Sequence, residues 1–198
     1  KTGNWSGVTI DKKYGFFKEK GKQYQILDLP GIYSLDSAIS KSEDEKISQK
    51  NIIENEDQIF LNIVDSSNLE KSLFLTTELI DLNKPMILVL NMMDLHDKAK
   101  IFIDTNRLSE IFGIKIVKIN SKDNNIEELK RAIVDICQNK NLPKRGVEFN
   151  KKINEATDVI SKKTNLNKWQ TLEYLKESKI KLESKSKFTA EEEKIISQ

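Results

Sequence analysis

Cysteine is nearly missing from this chain. Its 198 residues hold one, Cys137, so no internal disulfide can form, which fits a reducing compartment. Placed inside a helical pattern, Cys137 reads as a small buried hydrophobe. Long apolar runs are missing too. None approaches the ~20 residues of a membrane-spanning helix, and no secretory leader opens the chain, so the expectation is a soluble polypeptide. Neither sign of charge is in excess: 33 Lys and Arg face 31 Asp and Glu, for a formal net charge of +2. The basic residues are spread out, with no arginine-rich block, which removes the argument for a nucleic-acid partner. The one histidine, His96, lies in a charged loop without cysteine or carboxylate partners and is a poor metal candidate. Proline occurs three times, and each marks a boundary: Pro30 in a turn, Pro85 before an apolar run, Pro143 in a linker.

With 37% hydrophobic residues there is enough apolar material for one well-buried core and a small appendage. The chain is organised around Pro85–Asp94, P-M-I-L-V-L-N-M-M-D. Met86–Leu90 is an unbroken apolar run, as suits a strand covered on both faces. Ahead of it, a polar loop carrying Trp5 leads into a hairpin. Val8–Lys20 alternates weakly, Lys20-Gly21-Lys22 is a turn, and Tyr24–Leu27 is the second arm, running into D-L-P-G at Asp28–Gly31. Ile32–Lys41 has no clear period and reads as a mobile loop. Ser42 with Glu45 forms a capping box for a helix to about Glu54. Ile59–Val64 is a second buried-strand pattern ending at Asp65. Asn68–Leu82 is an amphipathic helix with Leu69, Leu73, Thr76, Leu79 and Leu82 near one face.

Thr105–Phe112 reads as a short helix closed by Gly113, and Ile114–Ile119 as the last strand, followed by N-S-K at Asn120–Lys122. Asn125 with Glu128 resembles a capping box for a helix with Ile126, Leu129, Ile133 and Ile136 inward. A hairpin followed by β-α-β-α-β-α predicts a doubly wound α/β domain over residues 1–146, with a mostly parallel sheet and one antiparallel edge strand. Asn139–Gly146 is a linker. Residues 147–198 lack strand patterns. Phe149, Ile153, Ala156 and Ile160 step at helical spacing, Asn167 opens a helix with Trp169, Leu172 and Leu175 inward, and Thr189 with Glu192 opens a third. They predict a small all-α domain that packs on the α/β domain or on itself.

Three turns at strand ends carry chemistry. Guanine presents two adjacent donors, N1–H and the 2-amino group, which one carboxylate accepts together. In N-M-M-D, Asp94 can do this while Asn91 bonds the N7/O6 edge. Adenine has an acceptor at N1 and would leave Asp94 unpaired, a mismatch able to discriminate by ~10⁴. In D-L-P-G, Asp28 can hold the water shell of Mg²⁺, and Gly31 lets a backbone N–H approach a terminal phosphate. In N-S-K a backbone N–H can reach the guanine oxygen. Each turn alone is also an ordinary polar strand end. Their order, each after an apolar strand, is that of a guanine-nucleotide-binding domain.

The strings G-N-W-S-G-V-T-I-D-K-K, D-L-P-G-I-Y-S-L and V-L-N-M-M-D-L closely resemble the cytosolic amino-terminal region of the ferrous iron transport protein B family, over nearly the whole chain. The resemblance implies a phosphate-loop GTPase-like domain that binds and hydrolyses GTP and regulates ferrous iron transport at the cytoplasmic face of the inner membrane. Residues 147–198 would be that family's helical domain. Thr9 matches a switch threonine on Mg²⁺, Asp28 an acid that holds the metal's water, and Gly31 the γ-phosphate sensor, so Thr9 and Gly31 are the residues tied to hydrolysis. Asn91, Met92 and Asp94 match the guanine readers, and Asn120, Ser121 and Lys122 the loop under the guanine oxygen. Gly3, Asn4 and Trp5 match a stretch that covers the nucleotide and in some members supplies carbonyls to K⁺. Implied partners are guanine nucleotide, a transmembrane permease portion of the same protein, a small cytosolic protein of the iron transport system and further copies of the chain.

Three departures stand out. Ser6 replaces the usual proline of the G-N-W-P-G string, which loosens that loop. Ile32 stands where a water-orienting glutamine would follow Gly31, so hydrolysis should be slow without help. No G-x-x-x-x-G-K-[ST] occurs anywhere in the 198 residues, and the family's phosphate loop lies upstream of Lys1. Two other functions share part of this pattern. A soluble GTPase of ribosome or tRNA maintenance has the same guanine motifs but calls for a basic appendage, whereas residues 147–198 alternate Lys with Glu. A chain truly without its phosphate loop would be a nucleotide-free interaction module.

Overall fold

The computed structural model describes residues 13–36, 42–55, 57–93, 102–120, 126–144 and 148–178. His96, Asn125 and the helix expected after Thr189 lie outside them.

The core forms around strand β4, Met86–Asn91. Met86 through Leu90 are each no more than 1% exposed, as an uninterrupted apolar run requires. β3 (Phe60–Asp65) and β5 (Lys115–Lys118) flank it in parallel, with Asp65 opposite Asn91 and Leu90 opposite Lys118. Helix α2, Leu69–Asp81, covers one face with Leu79 and Ile80. Asn62, a polar residue on the buried side of β3, donates to the Thr76 hydroxyl at 2.8 Å, so both are satisfied. Helix α4, Glu127–Asn139, covers the other face, where Ile133 and Ile136 meet Ile87, Val89 and Val117. Its cap position is held by Ile126, which is 42% exposed rather than inward as its spacing suggested. Helix α3, Thr105–Phe112, is bounded as the sequence predicts. Asp104 caps it and Gly113 ends it at φ +66. The linker then docks on that glycine. Lys144 N–H donates to the Phe112 carbonyl, and a Cβ at Gly113 would lie 2.4 Å from Lys144 Cβ.

The hairpin pairs β1 (Lys13–Glu19) with β2 (Lys22–Asp28) through Lys20 and Gly21, both at positive φ, which suits the twist of a two-residue turn. Helix α1, Glu43–Glu54, is capped by Ser42 and returns the chain to β3. Lys84, 9% exposed, holds the far end of α1 through the carbonyls of Ile52, Ile53 and Asn55.

The α/β architecture with a parallel sheet is as the sequence predicts. Among the described residues the strands pair in two groups, β1–β2 and β3–β4–β5. Between them lies a cleft of about 1380 Å³, lined by β2, β3, α1, α2 and α4. β2 and β3, joined through α1, flank this cleft and do not pair with each other among the described residues. Cys137 lines this cleft half-buried, and desolvation raises its thiol pKa. It packs partly buried against the cluster of Ile87, Val89 and Val117, less enclosed than a core hydrophobe.

The appendage contributes α5 (Lys151–Thr164) and α6 (Lys168–Ser178). Ile160 and Thr171 are fully buried between them, and the Ser161 and Thr171 hydroxyls meet at 3.0 Å. Asn167 and Gln170 cap α6 reciprocally. Trp169 packs against the main core, so the helical pair docks on the α/β layers as well as on itself.

Candidate functional site

β4 ends in a built corner. Asn91 is half-buried, and its backbone carbonyl accepts the Ser66 hydroxyl from the short 3₁₀ turn after β3. Met92 turns the chain with φ +60 and is 43% exposed, an uncommon conformation for a residue with a side chain of that size. Ile119 N–H donates to the Leu90 carbonyl at 2.8 Å, which carries the β4–β5 register past Lys118 and brings Asn120 to the same sheet end as Asn91. Two of the expected base-site positions, from loops almost 30 residues apart, therefore share one corner. Asp94, Ser121 and Lys122 lie outside the described residues, as do Gly3, Asn4, Trp5 and Thr9.

Asp28 closes β2 and is exposed. A Cβ added at Gly31 would meet nothing within 4 Å, so packing within the chain does not demand the glycine. The carboxyl ends of β2 and β3 point the same way, because Tyr33, in the loop after β2, lies against Lys71 in the first turn of α2, which follows β3. Asp28 and Asn91 thus sit at the same sheet end, separated by the cleft and by β3. Among the described residues no cluster of three His, Cys, Asp or Glu could hold a metal. Asp28 alone still fits Mg²⁺, which keeps several waters and takes one or two protein carboxylates beside phosphate oxygens.

Two acidic residues took no role from the sequence pattern. Asp65 ends β3 between the two corners, its carboxylate accepting the Ser67 N–H at 2.8 Å and the Ser67 hydroxyl at 2.7 Å. It was visible as a strand-end aspartate, the same position as Asp28. Glu78, on α2, had no such mark. Its carboxylate accepts the Ser34 hydroxyl at 2.9 Å and the Leu35 N–H at 2.7 Å. Burial raises its pKa, and these hydrogen bonds oppose the shift without cancelling it. The described part of the Ile32–Lys41 loop is accordingly not loose. Ser34 and Leu35 are 4% and 1% exposed. Gln49 donates to the Ser34 carbonyl at 2.9 Å, and Ser48 to the Pro30 carbonyl at 2.8 Å.

A family profile described as Ferrous iron transport protein B matches residues 1–133. The chain belongs to the ferrous iron transport protein B family. The Fe(2+) transporter FeoB of Campylobacter jejuni is 40% identical over 145 residues, covering 73% of this chain and 23% of that protein. The chain thus spans under a quarter of that relative's length. Among solved structures, the cytosolic domain of the T. maritima FeoB iron transporter in a GDP form aligns with TM-score 0.78 and 30% identity, covering 97% of this chain and 80% of that one. The Methanococcus jannaschii FeoB G-domain aligns with TM-score 0.60 and 39% identity over 66% of this chain and 80% of that one. These relatives share the α/β fold described above. Among the described residues no helix is long and apolar enough to cross a membrane.

Proposed function

We propose that this chain is the guanine-nucleotide-binding and GTP-hydrolysing switch portion of a ferrous iron transporter, working at the cytoplasmic face of the membrane that holds the permease portion. The observation that supports the reading is the end of β4, where Asn91 and Met92 follow the fully buried run Met86–Leu90 and the Ile119 N–H on the Leu90 carbonyl brings the segment after β5 to the same sheet end. Asn91 would take the N7/O6 edge of guanine, Met92 would pack beside the ring, and Asp94 would accept N1–H and the 2-amino group. Asn120, Ser121 and Lys122 would form the loop at the guanine oxygen. At the other corner Asp28 would hold Mg²⁺ through its water, joined by Thr9, while the Gly31 N–H would meet the γ-phosphate. The metal would neutralise charge developing on the phosphates. Gly3, Asn4 and Trp5 would cover the nucleotide and offer carbonyls to K⁺. The division near residue 146 separates this α/β unit from the helical domain.

The cleft supplies the missing middle. β2 and β3 each face it with an edge that carries no strand partner among the described residues. One strand running parallel to both would unite the sheet, and a glycine-rich loop at its carboxyl end would lie between Asp28 and Asn91, where the phosphates belong. The same cleft supports a second reading. Without such a strand, the 198 residues are an interaction module with an incomplete nucleotide site.

Titrating the intact amino-terminal region with GDP, ADP and XDP tests the first reading. GDP should bind far more tightly than ADP, and Asp94→Asn should shift preference toward XDP, because the amide can donate to the xanthine O2. Equal affinity of the unsubstituted protein for GDP and ADP would sink the assignment.

A further inference from the structure

Ser66 is a polar side chain buried to 1% exposure where β3 meets the end of β4. It opens the 3₁₀ turn Ser66–Asn68, one step past Asp65 and Asn91, the last pair of the β3–β4 register. The Asp65 carboxylate holds that turn by accepting the Ser67 N–H and hydroxyl. Ser66 is thereby presented inward, and its hydroxyl donates to the Asn91 carbonyl. The strand pairing is continued there by a side chain instead of the backbone.

The residue after Asn91 makes that bond consequential. Met92 takes φ +60, a conformation that persists in a bulky residue only where its surroundings over-determine it. Packing of its own side chain does not do so, because Met92 is 43% exposed. The constraints lie on either side. Met93 packs partly buried on the core cluster, and the Asn91 carbonyl is held by Ser66. That carbonyl belongs to the planar peptide joining Asn91 to Met92, so fixing it fixes ψ of Asn91 and φ of Met92 together. Asp94 is the next residue after Met93.

We propose that Ser66 is a positioning residue for base recognition: its hydroxyl locks the Asn91–Met92 peptide and so aims the turn that leads to Asp94. Resting on the guanine reading above, Ser66 raises specificity for the base without touching the nucleotide, since its side chain is enclosed and committed to the carbonyl.

GDP and IDP share their phosphates, sugar and N7/O6 edge and differ only in the 2-amino group. The ratio of their dissociation constants therefore reports how well Asp94 is placed. In the full-length protein, Ser66→Ala should lower the preference for GDP over IDP by about three- to tenfold, the worth of one neutral hydrogen bond. Ser66→Thr keeps the hydroxyl and should keep the preference. Ser66→Cys, close in shape but a weak donor, should fall between serine and alanine, and that order decides the matter should the threonine variant fail to fold. A merely structural serine would weaken GDP and IDP alike, or lower the melting temperature, and leave the ratio unchanged. That result would overturn the proposal. A second readout needs no nucleotide. Hydrogen exchange of amides 92–93 should be faster in Ser66→Ala by a similar factor and unchanged in Ser66→Thr, and equal exchange in serine and alanine forms would refute the lock. Equal binding of GDP and ADP by the unsubstituted protein would contradict the guanine reading itself, and the exchange comparison would then decide the lock alone.

Discussion

The parallel sheet and the hairpin present strand ends to the same site, yet they are held in opposite ways. In β4, Ile87 through Leu90 have no exposure, and helices cover both faces. In the hairpin no residue is fully buried, Phe16 is 57% exposed, and order comes from seven paired positions and the stacked rings of Phe17 and Tyr24, 4.9 Å apart. An isolated two-stranded hairpin is marginal in water. The proposed base-reading corner therefore stands on a well-covered core, while Asp28 and Gly31 stand on a two-stranded element that borders the cleft. That division would suit the proposed switch, in which the part that identifies the ligand is rigid and the part that senses its phosphate is only conditionally stable.

The sharpest way to break this contrast is a matched pair of truncations. Leu88→Ala should cost about 2–5 kcal/mol in urea unfolding, as for a fully buried leucine. Ile26→Ala on the hairpin should stay within about 0.5 kcal/mol, as at the surface. Similar losses at both positions would remove the distinction. Next in size is Lys84→Met. The substitution keeps the apolar stem and strips three carbonyls at the end of α1 of a charged donor. A loss of about 1.5–3 kcal/mol is expected. No loss would mean that water replaces the ammonium there.

The smallest effect concerns pH. Burial raises the Glu78 pKa above its ordinary 4.5. The folded state thus binds this proton more tightly than the unfolded state does. Its contribution to stability is fully present below the ordinary value and is lost as pH rises through the folded-state pKa. Glu78→Gln cannot titrate. The stability of Glu78→Gln relative to the unsubstituted protein should therefore increase as pH rises from about 4.5. A flat difference would show that Glu78 is as well solvated folded as unfolded.

What was legible in the sequence follows the same division. β4 could be read because five consecutive apolar residues leave a strand no exposed face. The end of α3 could be read because Gly113 is a local cap. The Asn91 and Asp28 strand ends were visible for the same local reason. The loop clamp was not, because Glu78 and Leu35 are 43 positions apart and Lys176 and Asp36 are 140 apart, so no periodicity joins them. The separate pairing of the hairpin among the described residues was hidden as well. Alternation reports which face of a strand is buried, not which neighbour supplies its edge hydrogen bonds.

The central claim is that the two corners make one guanine-nucleotide site only when a phosphate-binding strand joins them across the cleft. Calorimetry of the 198-residue polypeptide with GDP and Mg²⁺ tests it most directly. Phosphates should supply most of the affinity through backbone N–H groups and a lysine. The remaining base contacts are worth about 1 kcal/mol each where neutral and about 1.5–3 kcal/mol at the Asp94 carboxylate, too little to reach the ~8 kcal/mol of a micromolar complex once association entropy is subtracted. Weak or undetectable binding is therefore the expected result. A low-micromolar or tighter dissociation constant would contradict it, because the residues described here would then hold the phosphates without that strand.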